Sequence, residues 1–281
     1  MFQPLNTKDH SRDSAGLTYV YPVVSRRAGG VSVGVNLNPN NACNWHCVYC
    51  QVPNLQRGSA PLVDMVLLEQ ELSGFLHELR HGRFMAEQVP PVARQLVDVA
   101  ISGNGEPTSA REFPQVIALI ARVLEAAGLD NTVKTRLITN GSLISRDYVR
   151  EGLNLLHAQG GEVWFKVDGG TAQAYSRING VEITPESVAL RLTECAALCT
   201  TWVQTCMFAM DGQPPSEAEL VAYLNVLKRA GTQNLKGVLL YGLARPSMQL
   251  EAGRLAPLSA VNLEEIAVRI RGLGLTVQVS P

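Results

Sequence analysis

Three cysteines stand within eight residues of one another, at Cys43, Cys47 and Cys50 in the segment NACNWHCVYCQ. Thiolates are soft, anionic ligands suited to iron or zinc, and a short turn-rich loop can bring three of them to one compact centre. Three ligands leave a position open. For a single zinc ion His46 is the nominal fourth ligand, although it lies between two of the cysteines, where correct orientation of all is difficult. For a four-iron cluster, three cysteines leave one iron available to a substrate or cofactor. Ligand counting alone leaves both chemistries open. The remaining cysteines read differently. Cys195 and Cys199 share a helical face, Cys206 falls inside an apolar run, and no tight loop joins them, so buried structural thiols are expected there.

The elements that must position the cysteine loop follow from the hydrophobic periodicity. VSVGVNL, Val31 to Leu37, reads as a strand, and the Pro/Asn-rich turn holding Cys43 comes directly after it. A helix is expected over Val63 to His81, then a strand over Leu96 to Ser102 with a glycine-containing turn at its end. Further helices are expected over Phe113 to Ala127, Asp147 to Gln159, Glu186 to Cys199, Glu217 to Ala230 and Leu263 to Leu273. Between them lie the strands Thr135 to Thr139, Val163 to Val167, TWVQTCMF, Gly237 to Tyr241 and the final LTVQV. Such alternation implies parallel strands with right-handed crossovers: an α/β fold, either a doubly wound sheet or a full or partial β/α barrel. In each case ligands gather beyond the carboxyl ends of the strands, where the unusual turns of this chain fall.

The chain has 281 residues, 46% hydrophobic and 17% charged, with a formal charge of -1. That composition supports a large core and excludes a collagen-like, highly charged disordered or disulfide-stapled miniature protein. The balanced charge argues against a generic nucleic-acid binder, which presents a basic field. No stretch reaches the roughly 18 apolar residues of a membrane helix, and MFQPLNTKDHSRDSAG lacks the apolar centre of a signal peptide, so a cytoplasmic location with no membrane partner is expected. Residues 1–30 read as an N-terminal extension or flap, ending in Arg26, Arg27 and the Gly29-Gly30 turn, ahead of a core over residues 31–281. Arg26 and Arg27 are candidates to cover a bound anion, or simply to keep the flap soluble.

The spacing CxxxCxxC with Tyr49 before the last cysteine resembles the signature of the radical S-adenosylmethionine (SAM) enzyme superfamily. SGNGEPT, at the end of the next expected strand, resembles that family's Gly-Gly-Glu motif, with Asn104 in place of the first glycine and Gly105-Glu106 retained. TNG at Thr139 to Gly141, KVD at Lys166 to Asp168, YGLARP at Tyr241 to Pro246 and the opening VVSRRAGGVSVGVNLNPNNACNWHCVYCQ are similar to a MoaA-like subgroup of small radical SAM proteins. The likeness runs from Val23 to the end.

The resemblance implies a partial parallel β/α barrel, (β/α)6, with a short N-terminal extension. It implies that Cys43, Cys47 and Cys50 hold a [4Fe-4S] cluster whose open iron binds the amino and carboxylate groups of SAM. Tyr49 would then lie against the adenine, Gly105 would permit close backbone approach, and Glu106 would support the methionine amino end. From their places at strand ends, Asn140 is a candidate contact to SAM or the substrate, Lys166 and Asp168 are candidate contacts to the SAM carboxylate or ribose, and Arg245 is a candidate to receive an acidic group. The implied chemistry is one-electron cleavage of SAM to methionine and a 5′-deoxyadenosyl radical that abstracts hydrogen from a substrate, with a flavodoxin- or ferredoxin-like electron donor. A small metabolite or cofactor precursor ranks first as substrate for so compact and neutral a chain, then a peptide, then RNA. Each residue also has a plainer reading: Glu106 as a helix-start carboxylate, Tyr49 as local packing, Asn140 as Asn-Gly turn chemistry, Lys166 and Asp168 as an ion pair, Arg245 as a surface group, Trp45 and His46 as loop packing. A non-enzymatic iron-sulfur electron carrier or sensor, and a structural zinc protein, are the rivals.

Overall fold

Runs of Val, Ile, Leu and Thr four to six residues long pair side by side in chain order, and their two faces have opposite character. The computed structural model describes residue 5 and residues 15–25 and 29–281; Arg26 and Arg27 lie outside the described residues. In chain order the strands are β1 (Val20–Ser25), β2 (Gly30–Val35), the two-residue β3 (Ala42–Cys43) and β4 (Gln56–Arg57), β5 (Leu96–Ile101), β6 (Lys134–Thr139), β7 (Glu162–Lys166), β8 (Thr201–Cys206), β9 (Phe208–Met210), β10 (Gly237–Tyr241), β11 (Leu255–Pro257) and β12 (Val277–Ser280). The helices are α1 (Met65–His81), α2 (Phe84–Gln88), α3 (Phe113–Ala126), α4 (Asp147–Ala158), α5 (Ala172–Asn179), α6 (Pro185–Leu198), α7 (Glu217–Ala230) and α8 (Ala260–Arg271).

The main sheet has the order β1-β2-β5-β6-β7-β8-β10-β12. All neighbours pair in parallel except β1, which lies antiparallel on β2. Six strand-helix units, β2-α1, β5-α3, β6-α4, β7-α6, β8-α7 and β10-α8, are thus followed by the seventh parallel strand β12. The curled, open sheet is a partial β/α barrel, as expected. Two strands depart from the sequence reading. Val20–Ser25, expected within the extension, is an edge strand of the sheet; Pro22 inside VYPVVS obscures it, because proline is tolerated only where one side needs no ladder partner. TWVQTCMF is not one strand: it breaks at Met207, and Phe208–Met210 pairs instead with β11.

The outer face carries Val33, Val35, Val99, Ile101, Leu137, Val163, Phe165, Val203, Val238 and Leu240, packed with helical residues such as Leu72, Ile117, Leu153, Leu192, Leu227 and Ile270 in one buried core. Each such side chain contributes roughly 1.5–3 kcal/mol on full burial. The helices begin where capping residues stop the strand-to-helix turns: Asp64 accepts from Val66 N and Leu67 N at α1, and Ser216 with Glu219 forms a capping box at α7. The inner face is polar and aromatic instead. Asp98 receives Ser32 Oγ and the Arg136 guanidinium, Arg136 also lies 3.6 Å from Glu162, and Lys134 pairs with Glu162 at 2.6 Å. The Arg136 guanidinium sits 5.0 Å from the ring centre of Trp164, which packs with Trp202 and Leu239. These charges neutralise one another toward the amino ends of the strands and leave the carboxyl ends for chemistry.

Candidate functional site

The cysteine loop crosses the carboxyl ends of the strands and is held there by side chains that bond to backbone. NLNPNN supplies much of this. Asn36 Oδ1 accepts from both Asn38 N and Asn104 N at 3.0 Å, Asn38 donates to Ala42 O at 2.9 Å, and Asn41 Oδ1 accepts from Asn104 Nδ2 at 2.6 Å. Asparagine does this because its short amide matches backbone donors and acceptors two to four residues away. Asn104, the departure from the expected glycine pair, therefore fastens the turn after β5 to the loop. Gly105 is required for contact within the chain itself: a Cβ there would lie 2.0 Å from Ala42 O.

Cys43, Cys47, Tyr49, Cys50, Gly105, Glu106, Asn140 and Lys166 line one cavity of about 280 Å³ at this end, together with Trp45, Gln204, Tyr241 and Arg245. Asp168 does not line it. It stands behind Tyr49 and borders a neighbouring cavity with Arg177, Phe208 and Tyr223. Burial pushes the Cys43 thiol up to about 11 and the Cys47 thiol up to about 12. Two N–H groups address these sulfurs: Trp45 N at 3.5 Å from Cys43 Sγ, and Asn179 Nδ2 at 3.3 Å from Cys47 Sγ. Among the described residues no three His, Cys, Asp or Glu side chains are close enough together to hold a single metal ion. His46 is fixed through its backbone, N to Asn179 O at 2.9 Å, and Trp45 is buried.

Glu106 is 2% exposed and fully engaged. Its carboxylate accepts from Thr108 N at 3.1 Å, Thr108 Oγ1 at 2.6 Å, Thr139 Oγ1 at 2.6 Å and Asn140 N at 2.7 Å. It caps the short turn Pro107–Ser109 and ties the end of β5 to the end of β6. Burial raises its carboxyl, against the pull of these four donors. Asn140 passes the connection on: its Nδ2 donates to Asn44 Oδ1 at 2.9 Å, inside the cysteine loop, and its Oδ1 accepts from Ser142 N at 3.0 Å.

Lys166, Tyr49 and Asp168 form one buried network. Lys166 Nζ donates to the Tyr49 hydroxyl at 2.5 Å and lies 4.7 Å from the ring centre. Tyr49 donates to Asp168 Oδ2, which lies 3.6 Å from Lys166 Nζ, and Asp168 Oδ1 accepts from Cys206 N at 3.2 Å. Burial, then the Asp168 carboxylate, holds the Tyr49 phenol well above its ordinary value. Burial pulls the Lys166 ammonium down, but Asp168, together with Tyr241, Cys47 and Cys206, more than offsets it, and the net shift is upward. Lys166 is therefore charged, and 16% of its side chain remains exposed.

Several anchoring residues escaped the sequence reading. Helix α5 was not expected; it is eight residues long, capped by Thr171 and stopped by Gly180 at φ +63°. Its last two carbonyls, Ile178 O and Asn179 O, accept from Val48 N and His46 N at 2.9 Å. Arg57 donates to Asn44 O at 2.6 Å and also to Gly180 O. From the other side, Ser247 Oγ donates to Val48 O at 2.6 Å, and Gln249 Nε2 to Cys50 O at 3.1 Å and Val52 O at 2.8 Å. Arg245 donates to Gln51 Oε1 at 2.9 Å. The signal for this clamp was the length of the polar loop after β10. Cys195, Cys199 and Cys206 are buried, with 0%, 2% and 1% exposure, and the first two lie 3.5 Å from Thr201 Oγ1 and Gly161 O respectively.

No family model matches the chain. One curated protein, the GTPase Obg of Brachyspira hyodysenteriae, is 24% identical over 132 residues, 47% of this chain but only 17% of that protein. The solved structures similar to this chain are of another kind. SuiB of Streptococcus suis bound to S-adenosylmethionine matches with a TM-score of 0.55 and 12% identity, over 88% of this chain and 50% of that one. A radical SAM methyltransferase from Sphaerobacter thermophilus matches with a TM-score of 0.56 and 12% identity, over 92% and 68%. anSMEcpe with bound AdoMet matches with a TM-score of 0.52 and 16% identity, over 88% and 63%. The chain shares its fold with these three structures.

Proposed function

We propose that the chain is a radical SAM enzyme in which Cys43, Cys47 and Cys50 hold a [4Fe-4S] cluster and the adjoining cavity takes S-adenosylmethionine and a small-molecule substrate. One observation carries the reading: three thiols on a single loop at the carboxyl ends of a partial barrel line the same cavity as Glu106, Asn140 and Lys166. The donor set fits the group. Sulfur ligands suit iron, N–H groups already point at two of the sulfurs, and the loop backbone is gripped by Asn-rich turns, α5 and the segment after β10.

When bound and reduced, the cluster would supply the electron that cleaves SAM into methionine and a 5′-deoxyadenosyl radical. The residues of this chain hold the parts in place. Lys166 presents a cation to the cavity, where a carboxylate is its natural partner, while Asp168 and Tyr49 fix its position. Glu106 supports SAM indirectly, by fixing the backbone at Asn140 and Thr108. Gln204, Ile138, Trp164 and Tyr241 line the interior beyond and exclude water from the reacting carbon. The self-neutralised charges of the interior favour a small, largely uncharged substrate portion there, and a flavodoxin- or ferredoxin-like donor would deliver the electron.

The test is spectroscopic. After anaerobic reconstitution with iron and sulfide, the reduced protein should show a paramagnetic four-iron signal that changes shape when SAM is added. A reduced cluster whose signal is indifferent to SAM would mean an electron carrier or sensor instead.

A further inference from the structure

We infer that Asn179 is a positioning residue for the cluster, donating a side-chain N–H to the Cys47 sulfur and thereby raising the cluster's reduction potential; this rests on the function proposed above. Asn179 is completely buried at the end of α5, 132 residues away from Cys47 in sequence. Its Nδ2 lies 3.3 Å from Cys47 Sγ and 2.9 Å from Asp168 Oδ2.

The two contacts together fix which way the amide faces. An ionised carboxylate only accepts hydrogen bonds, so the NH2 group, and not the carbonyl oxygen, must face Asp168. One of its two hydrogens serves Asp168, and the other is directed at the sulfur. The reversed amide would set an oxygen against the carboxylate. Among the described residues Asn179 Oδ1 has no hydrogen-bond partner, so the polar contacts of this side chain are those of its NH2 group. The backbone of the same residue accepts from His46 N, and its neighbour Ile178 accepts from Val48 N, so Cys47 is bracketed on both sides.

The consequence is electrostatic. One-electron reduction adds negative charge that spreads onto the cysteine sulfurs. An N–H aimed at one of those sulfurs stabilises the reduced state over the oxidised one, and in a desolvated site it is little screened. The same amide holds Asp168, which in turn orients Tyr49 and Lys166 at the cavity. One side chain therefore joins a cluster ligand to the proposed SAM-binding network.

The experiment is an EPR-monitored redox titration of the reconstituted full chain, wild type against Asn179→Leu, with iron and sulfide measured on both. Leucine keeps the bulk and removes the donor. The expected result is equal iron and sulfide content with a midpoint potential shifted to more negative values in the variant. An unchanged midpoint at equal loading overturns the inference while leaving the proposed function intact; a wild type that assembles no four-iron cluster overturns both. Should Asn179→Leu not fold, wild-type protein carrying asparagine labelled with ¹⁵N in its side-chain amide decides the matter: a ¹⁵N coupling to the reduced cluster is expected in pulsed EPR, and its absence overturns the assignment.

Discussion

Cys43, Cys47 and Cys50 on one side, and Cys195, Cys199 and Cys206 on the other, are two sets of the same residue in one molecule. Burial has much the same effect on members of both: Cys43 is raised to about 11, and Cys47, Cys195 and Cys199 to about 12. Desolvation therefore does not separate a ligand set from a structural one. What separates them is their surroundings. The first three occupy a single loop beside a cavity, and two of them, Cys43 and Cys47, receive an N–H donor on sulfur; Cys195 and Cys199 pack in the main core, beside a threonine hydroxyl and a carbonyl. The loop set is gathered beside open space, whereas Cys195 and Cys199 are enclosed by the hydrocarbon of the main core.

The sharpest way to break this comparison is to remove each set. Replacing Cys43, Cys47 and Cys50 by alanine should abolish iron and sulfide uptake and leave the fold intact by circular dichroism. Cys195→Ala with Cys199→Ala should keep full iron uptake and lose about 1–3 kcal/mol of stability. Next in size is the floor on which the loop rests. Glu106→Ala strands four donors that now converge on one carboxylate, and should cost about 3 kcal/mol or more in urea unfolding.

A pH measurement sharpens the comparison further. The Cys195 and Cys199 thiols titrate at about 12 in the fold, against 9.0 without burial. Between those values the folded chain binds more protons than the unfolded one, so stability falls as pH rises through the window. The contribution is about 1.4 kcal/mol per thiol for each pH unit, and it should vanish from the difference curve when both are alanine. The smallest effect is expected at the clamp. Ser247→Ala removes the donor to Val48 O and Cys50 O and should cost about 1 kcal/mol, read as a lower Tm and faster loss of iron to a chelator.

The legible part of the molecule was what repeats or clusters. Six of the seven parallel strands and the six longer helices α1, α3, α4, α6, α7 and α8 follow the apolar periodicity to within two or three residues, because each buries one face against the same core. The cysteine loop stood out by residue type and spacing, and Glu106 by the resemblance of SGNGEPT to a Gly-Gly-Glu motif. What stayed hidden depends on long-range pairing. Asn179 ends a short polar helix with a weak apolar stripe, and its partners are 11 and 132 residues away. Ser247 and Gln249 look like any polar loop until they meet the carbonyls of residues 48, 50 and 52. Gly105 and Glu106 were expected at SAM; the geometry gives each a reason inside the chain as well, since the loop passes against Gly105 and the Glu106 carboxylate is occupied by four donors.

The central claim is that the three-cysteine loop supports SAM cleavage. Anaerobically reconstituted and chemically reduced protein should form 5′-deoxyadenosine from SAM, and the Cys43→Ala, Cys47→Ala, Cys50→Ala triple variant should form none. A verified, reduced four-iron cluster in the wild type that yields no 5′-deoxyadenosine would contradict the account and assign the loop to electron transfer or sensing.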